Sequence, residues 1–177
     1  MSSTIFLARH AEPIQIDRAK KGLSVLGRHQ ASELAQSLQA CIGPYQSVSI
    51  ICSPLPRCIE TASVISDILA MPYRVAPLRL HHAERLKVDD MQSKYTTYIR
   101  NYKLLKIEPP NAYAQRFKRL VQNEPTDFIV AVGNEVTMRI LLQILGGDTY
   151  NKPIMHTQCY KVVLTEGLKH ATIERVH

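Results

Sequence analysis

The sequence predicts an α/β fold, a single-domain three-layer sandwich whose mostly parallel sheet is covered by helices on both faces. Three observations predict it. Short apolar, β-branched runs alternate with longer stretches whose apolar residues recur at helical spacing. The strand runs are apolar almost throughout, as in strands buried on both sides. The chain has 177 residues, 45% of them hydrophobic, enough for one domain with a sizeable core. No internal repeat, linker or low-complexity segment interrupts it, so residues 1–177 are taken as one domain.

Thr4 to Ala8 reads as the first strand. It ends at Arg9-His10, an abrupt passage from apolar to charged. Pro13 to Gly22 is a basic loop carrying Asp17, Arg18, Lys20 and Lys21. Ser24 is a helix cap, and Ala31, Leu34, Ala35, Leu38, Cys41 and Ile42 share the apolar face of the helix that follows. Gly43-Pro44 stops it. Val48 to Cys52 is a second strand. Ser53 to Arg57 turns into a helix that buries Cys58, Ala62, Ile65 and Leu69. Tyr73 to Leu80 is extended and broken by Pro77. Met91 to Lys106 reads as helical, with Tyr95, Tyr98 and Tyr102 as packing residues. Asn111 caps a helix with Ala114, Phe117, Leu120 and Val121 inward. Asp127 to Val132 is a third strand, and Gly133-Asn134-Glu135 turns into a helix with Val136, Ile140, Leu141, Ile144 and Leu145 inward. Gly146-Gly147 ends that helix. Tyr160 to Leu164 and Ala171 to Val176 are late strands.

Composition narrows the function. No apolar run is long enough to cross a bilayer, and the N-terminus has no basic-then-apolar signal, so no membrane partner is expected. Four cysteines lack metal-ligand or close-pair spacing and read as reduced thiols of a cytoplasmic protein. A net charge of +7 favours anionic partners. Charge alone is a weak argument for nucleic acid, and neither a Walker loop nor a Gly-x-Gly-x-x-Gly run is present. Nucleic-acid binding is therefore not expected. Cys52 to Arg57 falls one residue short of a Cys-x5-Arg phosphatase loop.

If the first three strands are parallel neighbours, their C-terminal ends share one edge, where α/β proteins place ligands. Arg9, His10, Arg57, Asn134 and Glu135 then converge. Guanidinium forks match phosphoryl oxygens bidentately and stay charged. A neutral imidazole beside them is a nucleophile toward phosphorus. Helix N-termini near Arg57 and Glu135 would add amide donors for an anion.

Four segments carry a family resemblance. Leu7-Ala8-Arg9-His10-Ala11-Glu12 resembles the Arg-His signature of the histidine phosphatase superfamily, the phosphoglycerate-mutase-like fold. Leu23-Ser24 to Gly27 with Gln30-Ala31 is similar to its Leu-Ser/Thr-x-x-Gly-x-x-Gln-Ala segment. Ser53-Pro54-Leu55-Pro56-Arg57 with Thr61-Ala62 resembles its Ser-Pro-Leu-x-Arg-x-x-x-Thr-Ala motif. Val132-Gly133-Asn134-Glu135 with Met138-Arg139 is similar to its Val-x-His-x segment. The resemblance implies a compact phosphatase in which His10 becomes phosphorylated while Arg9 and Arg57 hold the phosphoryl oxygens. It implies no cofactor or metal, and it points to a phosphorylated small molecule or phosphoprotein as partner.

The chain departs from the pattern twice. Asn134 stands where the family has its second histidine; asparagine donates a hydrogen bond but carries no charge. The family's Leu-x-Glu proton donor has its nearest match at Leu80-His81-His82, with Glu84 two residues on. His82 and Glu84 are equal candidates for the donor, and Glu135 is the third, because one branch of the family places its acid directly after the second histidine. Residues 81–122 form a lid region that selects the substrate. The expectation is a phosphohydrolase working through His10 and impaired by Asn134. The alternative is a catalytically inactive phosphoryl- or partner-binding module on the same fold.

Overall fold

The computed structural model describes residues 3–14, 22–44, 46–83, 91–146, 153–164 and 171–177. Among the described residues the strands are β1 (Ser3–Arg9), β2 (Val48–Cys52), β3 (Tyr73–Val75), β4 (Phe128–Gly133), β5 (Cys159–Leu164) and β6 (Ala171–Arg175). The helices are α1 (Val25–Ile42), α2 (Pro56–Leu69), α3 (Met91–Asn101), α4 (Pro110–Gln122) and α5 (Glu135–Gly146). The strands make one sheet in the order β3-β2-β4-β1-β5-β6. β3, β2, β4 and β1 run parallel, whereas β5 is antiparallel to β1 and β6 to β5. Arg9 lies opposite Gly133, and Cys52 opposite Val132. The C-terminal ends of β1, β2 and β4 therefore meet at one edge.

Alternation along β1 sorts its side chains to the two faces. Ile5 and Leu7 join Ile129, Ala131, Tyr98, Phe117 and Ile140 in the core under α3, α4 and α5. Phe6 and Ala8 join Val130, Val132, Leu34, Leu38, Ala62 and Ile65 under α1 and α2. This is the three-layer arrangement predicted from the alternation of strands and helices. Tyr95 and Tyr98 are buried in the first of these cores, in packing roles.

The caps explain most boundaries. The Ser24 hydroxyl accepts from the Gly27 amide at 2.9 Å, and Gly43 closes α1 at φ 75°. Pro56 opens α2 at the first helical position, where a missing amide hydrogen costs nothing. For the same reason α4 begins at Pro110 and is not capped by Asn111. The regular helix of α3 stops at Asn101, short of Lys106. Turns continue it: Lys106 takes the left-handed conformation (φ 52°), and the Ile107 amide donates back to the Tyr102 carbonyl at 2.9 Å, a Schellman-type closure. Two expected core positions are exposed, Cys41 and Ile144; each lies at the margin of its helix's apolar stripe. The four cysteines are free thiols. No described helix is long and apolar enough to cross a membrane.

Gly27 lets α1 lie against the chain that leaves β1. A Cβ there would collide with the Glu12 backbone carbonyl, and that carbonyl already accepts from the Ser24 amide at 3.0 Å. Backbone on both sides leaves little room to relax. Gly27→Ala is expected to destabilise the fold by about 2 kcal/mol, read as a lower urea midpoint. An unchanged midpoint would show that the contact yields freely.

Candidate functional site

His10 follows the last residue of β1 and is only 1% exposed. Its amide donates to the Gly133 carbonyl at 3.0 Å, so the central strand pair fixes its backbone. Its ring is fixed by two hydrogen bonds. Nδ1–H donates to the Ala11 carbonyl at 2.8 Å, and Nε2 accepts from Arg57 Nε at 2.8 Å. A carbonyl only accepts and a guanidinium only donates. The ring is thus a neutral imidazole with its lone pair on Nε2, facing Arg57. Burial first, then Arg57 and Arg9, holds its pKa well below the usual 6.5, against the opposing pull of the Ala11 carbonyl.

Arg9 is also buried. Its Nη1 donates to the Ile154 carbonyl and stands 3.4 Å from Glu135 Oε2. The other oxygen of Glu135 lies 3.5 Å from Arg139 Nη1, and the Arg139 guanidinium sits 4.0 Å from the centre of the Tyr95 ring. Glu135 is thus a buried counter-ion between two arginines, positioned to balance their charge. Burial lowers the pKa of Arg9 and also that of Arg57.

Arg57, in the first turn of α2, lines a cleft with Arg79, Lys94, Asn134, Leu80 and Ala83. Three cations and an amide make this an anion-attracting surface. His10 lies beneath it, covered by Arg57. Asn134 caps α5: its Oδ1 accepts from the Thr137 amide at 3.1 Å. The cap leaves the side-chain NH₂ as the part of Asn134 that can donate to an anion. The α5 amide of Thr137, expected to face an anion, is spent on this cap.

The structure brings Arg9, His10, Arg57 and Asn134 together. It does not bring His82, which lies exposed in a turn and lines a different cleft with Tyr102, Lys106 and Glu108. That turn is pinned by the Glu108 carboxylate, which accepts from the His81 amide at 3.1 Å. Glu84 lies outside the described residues, as do Asp17, Arg18, Lys20 and Lys21. No group of three His, Cys, Asp or Glu side chains that could hold a metal occurs among the described residues.

One residue that the sequence did not single out enters the site. His156 belongs to the turn before β5. Its Nε2 lies 3.3 Å from Arg9 Nη2, and its ring centre is 5.6 Å from that of His10. It is a lone histidine outside every motif. The signal that could have found it is the pairing of β5 with β1: antiparallel strands put the start of β5 beside the end of β1.

The sequence profile of the histidine phosphatase superfamily (branch 1) matches residues 5–175. The chain belongs to this superfamily. Curated proteins give no match. Solved structures match over nearly the whole chain at low identity, which shows the fold they share. A phosphoglycerate mutase from Bacillus anthracis is 15% identical with a TM-score of 0.70, over 99% of this chain and 92% of that one. A mycobacterial glucosyl-3-phosphoglycerate phosphatase, solved with VO3, is 16% identical with a TM-score of 0.64, over 98% and 97%. An Escherichia coli protein assigned as an α-ribazole-5′-P phosphatase is 17% identical with a TM-score of 0.66, over 99% and 96%.

The segments that resemble the superfamily's motifs are tied to one another by hydrogen bonds. The Ser24 hydroxyl donates to Glu12 Oε2 at 2.7 Å, and Gln30 Oε1 accepts from the Glu12 amide at 3.0 Å. Thr61 Oγ1 accepts from the Ala11 amide at 3.1 Å and donates to the Arg57 carbonyl at 2.7 Å. Glu60 accepts from the Leu23 amide at 2.5 Å. The bonds from Ser24, Gln30 and Thr61 fasten α1 and α2 to the two residues after His10, and so hold the histidine's own backbone, while Glu60 ties α2 to the residue before the α1 cap.

The buried imidazole has a consequence for stability. Because the folded-state pKa of His10 is depressed, the native protein binds fewer protons there than the unfolded chain. Above pH 6.5 both states are neutral and the group adds no pH dependence. As pH falls through 6.5 the unfolded chain gains its proton first, and stability is lost by up to about 1.4 kcal/mol per pH unit. Urea unfolding at pH 7 and pH 5.5 should show this loss, and His10→Ala should make it smaller, the remainder including that of His156, whose pKa is lowered to about 4. Identical slopes in the two proteins would mean that His10 is not held neutral.

Proposed function

We propose that the protein is a phosphohydrolase that works through a phosphohistidine at His10. The observation that carries this reading is the imidazole whose Nε2 lone pair faces Arg57 while Nδ1–H is anchored to the Ala11 carbonyl. That tautomer is the one needed for attack through Nε2. A phosphoryl group entering the cleft takes over the Arg57 guanidinium, which frees Nε2. The lone pair forms the N–P bond as the P–O bond to the leaving group breaks, and the leaving oxygen takes a proton. Water then attacks the phosphohistidine, releasing phosphate and regenerating neutral His10. Arg57 and Arg9 stabilise the phosphoryl charge throughout, and the Asn134 NH₂ adds a neutral donor.

Glu84 is the proton donor in this reading. Its neighbour Ala83 lines the cleft beside Arg57 and Asn134, whereas His82 lines another. Residues 81–122 act as the lid, which the presence of Ala83 and Lys94 in the cleft wall supports. The substrate is a phosphorylated small molecule or a phosphoprotein, and the cations around the cleft favour an anionic body beyond the phosphate.

Hydrolysis of a generic aryl phosphate across pH 5 to 8 tests the reading. Turnover is expected, with one phosphoryl group trapped on His10 after an alkaline quench. Binding of inorganic phosphate without any turnover would move the protein to an inactive phosphoryl-binding module, as the neutral Asn134 allows.

A further inference from the structure

The superfamily pattern asks for a second imidazole after β4, and Asn134 does not supply it. We propose that His156 serves as the second phosphoryl-binding imidazole of this site, entering from the turn before β5. This rests on the phosphohydrolase reading above and adds to it a residue from a different segment of the chain.

The turn is built to hold the ring where it is. The Arg9 amide donates to the Gln158 carbonyl at 3.0 Å, and the Gln158 amide to the Met155 carbonyl at 3.2 Å. Gln158 Oε1 closes the loop by accepting from the Met155 amide at 2.8 Å. Thr157 is buried and adopts φ 57°, the left-handed region that a β-branched residue avoids. Such strain persists only where the surroundings impose it, and it concentrates at functional sites. The outcome is a half-buried imidazole beside His10 and Arg9, in a site that lacks the expected one.

The groups that act on His156 are Arg9, Arg57, Glu12 and His10. In the anion-free site Arg9 Nη2–H donates to Nε2, so the ring is neutral. Burial first, then Arg9 and, more weakly, Arg57, push its pKa down to about 4, with Glu12 opposing them. A dianion in the pocket cancels the effect of both arginines. Arg9 Nη2 then turns to the anion, and His156 takes up a proton and donates Nε2–H to a phosphoryl oxygen. A protonated imidazole at that point places positive charge where negative charge develops, which a neutral amide at position 134 cannot do.

The test uses inorganic sulfate, a dianion that does not itself titrate between pH 5 and 8, on the full chain with isotope-labelled histidine. Resonances are assigned in the wild-type protein by through-bond experiments that link each ring to its backbone. In the wild-type protein, saturating sulfate is expected to move the His156 signal and to raise its proton affinity at least tenfold. His156→Gln should bind sulfate about tenfold more weakly, and the double change His156→Gln with Asn134→His should recover most of the loss. Sulfate binding that weakens in Arg57→Ala, but leaves the His156 resonance and the His156→Gln affinity unchanged, would overturn this inference and leave the phosphohydrolase reading intact. Failure of the wild-type protein to bind either sulfate or inorganic phosphate would overturn both. The wild-type spectra decide the point even if a variant fails to fold.

Discussion

His10→Ala is expected to reduce aryl phosphate hydrolysis by at least about 10³-fold, to the background rate, because the other imidazole described at the site, His156, turns its Nε2 to Arg9 and not to Arg57. The geometry makes this a test of chemistry more than of folding. The imidazole is neutral, so its loss strands no charge. It makes two hydrogen bonds, to the Ala11 carbonyl and from Arg57 Nε, each at 2.8 Å. Bonds of that kind contribute about 1 kcal/mol each, so the variant should remain folded with a modestly lower melting temperature. Arg57, released from His10, stays at the cleft wall, and inorganic phosphate should still bind. Turnover within tenfold of wild type would place the nucleophile elsewhere. Loss of phosphate binding together with turnover would make His10 a ligand or a structural post.

The sheet-edge convergence was legible because each partner sits at a boundary between an apolar run and a polar turn. Arg9-His10, Arg57 and Asn134-Glu135 follow three strand runs, and parallel pairing of β1, β4 and β2 brings these ends together. The place of Asn134 at the sheet edge was legible from the turn that follows β4, whereas its cap on α5, through the Thr137 amide, came from the structure. His156 was not legible. Its place depends on β5 pairing antiparallel with β1, so that Cys159 lies opposite Ala8, and strand order cannot be read from local pattern. The donor was ambiguous for a related reason. His82 and Glu84 are two residues apart in a segment without periodicity, and the side a turn presents depends on tertiary contacts such as the one from Glu108 to the His81 amide. Burial of Arg139 was equally hidden, because its α5 position reads as polar until Glu135 and Tyr95 are seen beside it.

Glu135→Gln is expected to destabilise the fold by about 3 kcal/mol while leaving anion binding intact or stronger. Arg9 and Arg139 are each less than a tenth exposed, and Glu135 is the carboxylate that faces both. Neutralising it removes the carboxylate that faces two buried guanidinium groups, and losing one partner of a buried ion pair commonly costs about 3–5 kcal/mol. The lower end applies because both pairs stand at 3.4 and 3.5 Å, beyond tight hydrogen-bond range, and because the Ile154 carbonyl and the Tyr95 ring keep some hold on the cations. The same change makes the pocket more positive, so inorganic phosphate affinity should hold or rise. Urea unfolding and a phosphate titration on one preparation read the two effects separately. The pair of results also separates a counter-ion from a proton donor. A donor lost at position 135 would cut turnover about 10²-fold or more with stability unchanged, whereas a counter-ion lost there shows first in the unfolding midpoint. The buried position of Glu135 between the two arginines favours the counter-ion.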